Sequence, residues 1–284
     1  MYHYHAFGLQ ICSDLALIDL QKKACHQKID VSIQAADLPY QLAHPIKQSH
    51  GLMGHKHVLL LNIPEVARFL ISDGKEIRYH IYSGVHSDTL RLFLLGSCMG
   101  ALLQQRGYIV LHGNAISRDG NRCEVFVGHR GAGKSTLAAW HYLQGAYVLT
   151  DDVCAIYFDQ DGKPWVIPSF PQLKIRQHAA HLLKLPTTAF KRRIQPNDEK
   201  YVLSIEHQFV NHALPLVSVN EITSLYDKNV RGVKKLELLV QHSYRYHFLS
   251  YMGCMTSYLR KLMQLAAVTR VQQTKRLMIS QPCL

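Results

Sequence analysis

The sequence predicts an α/β fold of the α+β kind, with a β-rich N-terminal domain, a glycine-rich loop between strand and helix, and a helical C-terminus. Three observations predict it. Residues 123–127 read as a short strand running into a glycine-rich turn, and residues 135–140 begin a helix leaving it. Asp73-Gly74, Asp119-Gly120 and Asp161-Gly162 each separate two apolar, strand-compatible runs, a strong hairpin signal. From 236 to about 273 the chain is helix-compatible and basic. These features divide the chain into a β-rich domain over 1–86, a connecting helix over 87–106, and a larger domain over 107–284 that carries the loop and the helical C-terminal region.

Taken in order, residues 6–11 and 58–61 are strand candidates, and 66–71 and 76–82 form the first Asp-Gly hairpin. Ser87 or Asp88 can cap a helix over 89 to about 105. That helix is apolar around most of its circumference, so it should be buried. Gly96 and Gly100, four residues apart, allow a close approach. Residues 108–111 and 112–117 are extended and turn at Asp119-Gly120 into the strand over 123–127, so an antiparallel pair precedes the loop. Gly145 suits the position after the helix C-terminus. A strand over 147–150 then ends at Asp151-Asp152, and 155–158 and 165–167 make the third hairpin. Residues 187–200 are polar and charged and read as a loop.

The 32 Lys and Arg against 20 Asp and Glu give a net charge of +12, which suits a polyanionic ligand such as a nucleotide, or an acidic partner. Zinc-finger spacing, RNP-type aromatics and long basic runs are absent from the sequence, so nucleic acid is not the expected partner. Seven scattered cysteines without a C-x-x-C point to reduced thiols and a cytoplasmic home. The N-terminus lacks the pattern of a signal peptide, and the longest apolar stretch, 92–103, is about half of what a bilayer needs, so no membrane partner is expected. Of the 18 histidines, the close pairs His3/His5, His55/His57 and His178/His181 lack further ligands nearby and read as ordinary surface or hydrogen-bonded residues.

The chemistry concentrates in one stretch. Gly128-His129-Arg130-Gly131-Ala132-Gly133-Lys134-Ser135 fits G-x-x-x-x-G-K-[ST], the Walker A or P-loop pattern, in which backbone N–H groups cradle phosphates. Lys134 is expected at the terminal phosphates, and the Ser135 hydroxyl on Mg2+, with Thr136 next in the helix. Arg130 either leans on a phosphate or faces solvent. Asp151 and Asp152 end a strand, where Walker-B-type carboxylates sit; one would hold Mg2+ and the other would take the proton of an attacking hydroxyl. His112, sixteen residues before Gly128, should come alongside the P-loop and orient a carboxylate or shuttle a proton. Lys174 is a candidate charge clamp, Lys200 a weaker one, and Arg192, Arg193 and Lys200 are candidates for holding a peptide substrate.

With these pieces placed, the chain resembles the HPr kinase/phosphorylase superfamily, and within it the HPr-kinase-related kinases of lasso-peptide biosynthetic clusters, which modify the precursor peptide. The resemblance rests on ordered blocks: Leu94-Leu95-Gly96-Ser97, Gln105-Arg106-Gly107, Leu111-His112-Gly113-Asn114-Ala115, the P-loop with its flanks, Leu149-Thr150-Asp151-Asp152-Val153 and Pro171-Gln172-Leu173-Lys174. It implies an HPr-kinase-like P-loop catalytic domain, with Lys134 and Ser135 on phosphate and metal, Asp151 or Asp152 as base and metal partner, and His112 assisting. ATP and Mg2+ are the implied cofactors, and a homo-oligomer is implied in the same way. The chain departs from the classical members at Thr136, where they carry an acidic residue, and it lacks their E-I-R-G-x-G loop. Those departures favour one-way phosphorylation over phosphorolysis.

The leading expectation is therefore an ATP-dependent kinase acting on a serine hydroxyl of a peptide, with the C-terminal serine of a lasso-peptide precursor as the substrate that the resemblance implies. The alternatives are a small-molecule kinase of the free-serine type, an HPr-type protein serine kinase, and a nucleotide-binding regulator without transfer activity.

Overall fold

In a computed structural model, residues 1–24, 28–194, 199–224 and 230–275 are described. Contacts divide the chain into two units, Met1–Val110 with Ser243–Met263, and Leu111–His242 with Gln264–Leu284. The boundary thus differs from the sequence reading, in which everything after 107 stays in one domain. Residues 243–263 return to the first unit because two glycines let them pack closely there. A Cβ on Gly54 would lie 2.2 Å from the Tyr251 carbonyl oxygen, and one on Gly100 would lie 2.7 Å from the Tyr244 ring. The close approach read from Gly96 and Gly100 is thus made to Tyr244.

The first unit is an eight-stranded sheet of β1 (Tyr2–Ala6), β2 (Leu9–Ser13), β3 (Val31–Ala35), β4 (Lys47–Ser49), β5 (Leu52–His55), β6 (Val58–Ile63), β7 (Ala67–Ser72) and β8 (Glu76–Ile81), in the order β1-β2-β3-β8-β7-β6-β5-β4. Residues 6–11 are not one strand. Phe7 and Gly8 both take positive φ, 54° and 69°, which is the backbone of a tight hairpin turn, and β1 and β2 pair across it. The Asp73-Gly74 hairpin forms as read, between β7 and β8. Ile11, Ile33, Phe69, Ile71 and Ile77 are fully buried, each such side chain contributing about 1.5–3 kcal/mol by leaving water. The long buried helix is α1 (Ser87–Phe93), a π-helical turn over Leu94–Cys98, and α2 (Met99–Gln105). Its cap is His86 rather than Ser87 or Asp88, the His86 Nδ1 accepting the Asp88 N–H at 3.2 Å.

The second unit is built on β9 (Ile109–Ser117), β10 (Cys123–Val127), α3 (Lys134–Leu143), β11 (Tyr147–Thr150), β12 (Val153–Phe158), β13 (Pro164–Ile167), β14 (Gln172–Arg176), α4 (Gln177–Leu182), β15 (Phe190–Arg193), β16 (Lys200–Ser204), β17 (Leu214–Thr223), α5 (Val233–Gln241) and β18 (Arg270–Lys275). Strands β9, β10, β17, β13 and β12 pair in a closed ring, with β11 added to β9 and β18 to β17. The pair β9–β10 is antiparallel, as the Asp119-Gly120 signal predicts. A smaller sheet has the order β14-β16-β15. Between these layers, Leu137, Ala138 and Ala139 of α3 bury against Ile116, Phe126, Val148, Leu173, Ile175 and Ile222.

Two sequence readings change here. The stretch 187–200 is not all loop: Thr187–Ala189 is a 3-10 turn, β15 follows, and β16 begins at Lys200, while 195–198 lie outside the described residues. The reason is a few apolar anchors in a polar stretch, since Ile194 is buried and the Phe190 and Tyr201 rings sit 5.0 Å apart. The C-terminal region is helical over Val233–Gln241, Phe248–Tyr251 and Met255–Val268, but then extends as β18, whose Val271 is buried beside the parallel neighbour β17. Among the described residues, no helix is long and apolar enough to cross a membrane.

His141, in the last turn of α3, lies against the Phe126 and Trp140 rings at 5.5 Å and 4.9 Å. Burial, helped by Arg118, pulls this imidazole down to about 4 from an ordinary 6.5. The folded chain keeps it neutral while the unfolded chain protonates near 6.5. Its contribution to stability is therefore full above that pH and is lost as pH falls through the interval, by about 2 kcal/mol after allowance for partial hydration. Thermal unfolding of His141→Leu should show a flatter acid limb over this window than the wild type. An unchanged limb would contradict the assignment.

Candidate functional site

The site forms in the second unit where β9, the loop after β10, the turn after β11 and β14 converge. The β9–β10 register sets Gly113 opposite Val127, which brings His112 level with Gly128 at the start of the P-loop. Side chains alternate along a strand, so His112 and Asn114 project to the same side. Each meets one aspartate: His112 Nδ1 is 3.0 Å from an Asp152 carboxylate oxygen, and Asn114 Nδ2 donates to Asp151 Oδ1 at 2.5 Å.

The glycine-rich loop takes a backbone that its glycines allow. Gly131 and Gly133 take φ of 86° and 100°, where side-chain-bearing residues are strained, and Gly133 is the N-cap of α3. Lys134 Nζ turns back onto the loop and donates to the Gly128 carbonyl at 2.6 Å and the His129 carbonyl at 3.4 Å. Burial lowers this ammonium below its ordinary value, with Asp152 and Asp151 opposing. The N-terminus of α3 adds the favourable end of its dipole for an anion.

The two aspartates, read from sequence as an interchangeable pair, occupy different environments. Asp151 is buried, and both of its oxygens are taken, one by Asn114 and the other by the Lys174 backbone N–H at 2.7 Å. Burial pushes its carboxyl up, the Lys174 charge pulls it down, and Asp152 adds to the rise, leaving it above the usual carboxylate range. Asp152 follows in a left-handed conformation, φ 75°, held by a tight turn in which the Val153 N–H donates to the Asp151 carbonyl. A non-glycine residue there stores about 1–3 kcal/mol of backbone strain, a cost that clusters at working sites. Its side chain keeps 31% of its surface exposed. Burial raises this carboxyl too, but the His112 hydrogen bond and the charges of Lys174, His112 and Lys200 outweigh it and hold Asp152 well below the usual range. The repulsion expected between adjacent carboxylates is met by Lys174, whose Nζ is 4.0 Å from Asp152.

These groups line one cavity of about 570 Å³, within the usual size of a small-molecule site. His112, His129, Arg130, Gly131, Gly133, Lys134, Ser135, Thr136, Asp151, Asp152, Lys174 and Lys200 all face it. Arg130 is exposed at its edge. Arg192 is not among the lining residues; it sits on β15, its guanidinium 3.4 Å from the Ile194 carbonyl. Arg193 lies on the same strand, and its side chain is outside the described residues. Among the described side chains, Arg192 is thus not placed at the cavity.

Asn114, Arg176 and His178 also line the cavity; the sequence had pointed to neither Asn114 nor Arg176 as a site residue and had His178 as an ordinary histidine. Asn114 belongs to the Leu111–Ala115 block and is two residues from His112, a spacing that would have put both on one strand face. Arg176 shares the face of β14 with Lys174, while Leu173 and Ile175 bury on the other, so the alternation in Leu173-Lys174-Ile175-Arg176 was a readable signal. A further group, His129, Glu221 and His242, lies beside the loop, its ligand atoms all within 4.8 Å of one another.

No family model matches the chain, and no curated protein matches it. Among solved structures, the Hpr(Ser) kinase/phosphatase from Coxiella burnetii is similar at 14% identity, over 43% of this chain and 77% of that one, with a TM-score of 0.27.

Proposed function

We propose that the chain is an ATP-dependent kinase that phosphorylates a serine hydroxyl of a peptide, and that its substrate is the C-terminal serine of a lasso-peptide precursor. One observation carries this reading: the ionised, His112-paired Asp152 shares a cavity with the P-loop lysine. A carboxylate kept deprotonated and open beside the phosphate cradle can both hold the nucleotide's metal and take the proton of an acceptor hydroxyl.

The residues fit a nucleotide and a magnesium ion. Lys134 is held by two loop carbonyls, contacts that a phosphate oxygen can replace, and the Gly131–Ser135 backbone opens onto the cavity. Ser135 and Asp152 supply the hard oxygen donors that magnesium takes. When bound, the ion neutralises charge on the transferring phosphate. The chain's own residues do the rest. Lys134, with the α3 N-terminus, fixes and neutralises the phosphates. Asp152 accepts the proton of the serine hydroxyl, and His112 orients its carboxylate. Asp151 is a positioning residue, tying β11 to Asn114 and to the β14 backbone. Lys174, Arg176 and Lys200 supply positive charge around the acceptor. Positioning and charge neutralisation thus carry the catalysis.

The substrate class is tested by incubating the chain with Mg2+ and ATP, with either free serine or a panel of synthetic peptides ending in serine. Phosphoserine at the peptide C-terminus, read by mass spectrometry, is the expected result. Phosphorylation of free serine with none on any peptide would favour the small-molecule reading and remove the peptide assignment.

A further inference from the structure

The group beside the P-loop has chemistry that phosphoryl transfer does not use. His129 comes from the loop, Glu221 from β17, and His242 caps the C-terminus of α5, so three separate parts of the chain meet there. We propose that His129, Glu221 and His242 form a transition-metal site, with Zn2+ as the ion it best suits. Two imidazoles and one carboxylate are a donor set that takes zinc with a fourth position left open, and the exposed His129 side provides that opening. The proposal stands whether or not the chain is a kinase.

Four observations support it. First, the distances are close to closure. Zinc–ligand bonds of about 2.0–2.2 Å put tetrahedral donors about 3.3 Å apart. Here His242 Nε2 and Glu221 Oε1 are 2.7 Å apart and all three ligand atoms fall within 4.8 Å, so side-chain adjustment of about an ångström is enough.

Second, the site has the outer support that ligands of a metal carry. The second Glu221 oxygen accepts from Gln273 Nε2 at 2.7 Å, fixing the carboxylate.

Third, Glu221 and His242 are both buried, with 7% and 4% of their surface exposed, so this is not a chance surface cluster.

Fourth, a simple buried His–Glu pair accounts for two of the residues but not for the third. His129 is exposed and on the P-loop, yet its ring lies 5.4 Å from that of His242 in an edge-on arrangement. A bound ion would fasten the loop to β17 and α5. The magnesium position of the proposed kinase is separate, since it draws on the oxygens of Ser135 and Asp152.

The test uses the full chain stripped of metal, titrated with Zn2+ and separately with Co2+ in excess Mg2+, which fills sites made only of oxygen. One saturable equivalent is expected, with the visible spectrum of four-coordinate cobalt. Affinity should fall at least tenfold, on the order of the loss seen for perturbed metal sites, in His129→Ala and in His242→Ala. The exposed His212→Ala should bind as the wild type does. Should His242→Ala fail to fold, His129→Ala decides alone, because its side chain is exposed. No saturable equivalent, or undiminished affinity in His129→Ala, would overturn the proposal.

Discussion

Replacing Asp152 by Asn is expected to slow phosphoryl transfer by about 10³-fold, within the 10²–10⁴ that a positioned general base contributes, while leaving nucleotide affinity nearly unchanged. The substitution is close to isosteric, and the Asn carboxamide oxygen can keep the His112 hydrogen bond. In the proposed mechanism it removes the basic oxygen that takes the hydroxyl proton, while the carboxamide oxygen that remains can still reach a magnesium ion. The stability cost should be small because the side chain is partly exposed and its partners Lys174 and Lys200 also reach the cavity. Asp151→Asn should behave differently. Asn114 can flip its amide to pair with the new side chain, so the turn should hold and transfer should fall far less. Initial rates with equal nucleotide occupancy check both variants. Undiminished transfer in Asp152→Asn would remove Asp152 from the mechanism, and a larger loss in Asp151→Asn would reverse the two roles.

The second large effect belongs to Lys134. Lys134→Ala should weaken nucleotide binding and lower transfer by about 10²–10³, the usual loss when one preorganised charge donor is removed. Fold stability should hold, because the ammonium donates to the Gly128 and His129 carbonyls, which water can satisfy in its place. Nucleotide titration and transfer rate measured on the same preparation, with thermal unfolding as a control, separate this from misfolding. Wild-type nucleotide affinity in the folded variant would contradict the placement of the phosphates.

More of the candidate site than of the fold was legible in the sequence. The P-loop, the antiparallel strands before it and the strand ending in Asp151-Asp152 are local patterns, and the hairpin register alone was enough to bring His112 level with Gly128. The split between Asp151 and Asp152 was not legible, since it depends on Asn114 and the Lys174 backbone, both distant in sequence. Phe7 in a left-handed turn broke the reading of 6–11 because a buried aromatic in a run of apolar residues looks like strand. The return of 243–263 to the first unit depends on glycines at 54 and 100, whose role appears only once Tyr251 and Tyr244 are placed against them. β18 follows a helix with no turn signal, and only pairing with β17 makes it extended. His129, Glu221 and His242 are brought together by tertiary structure alone, so spacing rules aimed at close histidine pairs could not find them.

In the proposed reaction this cavity moves the γ-phosphoryl group of ATP to a hydroxyl. The most direct measurement is a single turnover of the full chain with γ-labelled ATP, Mg2+ and a serine-terminated peptide, followed by location of the label. Label is expected on the serine oxygen in step with ADP formation, with none for Asp152→Asn on the same time scale. Label that stays in tightly bound ATP, or that emerges only as inorganic phosphate while the peptide remains unlabelled, would contradict it.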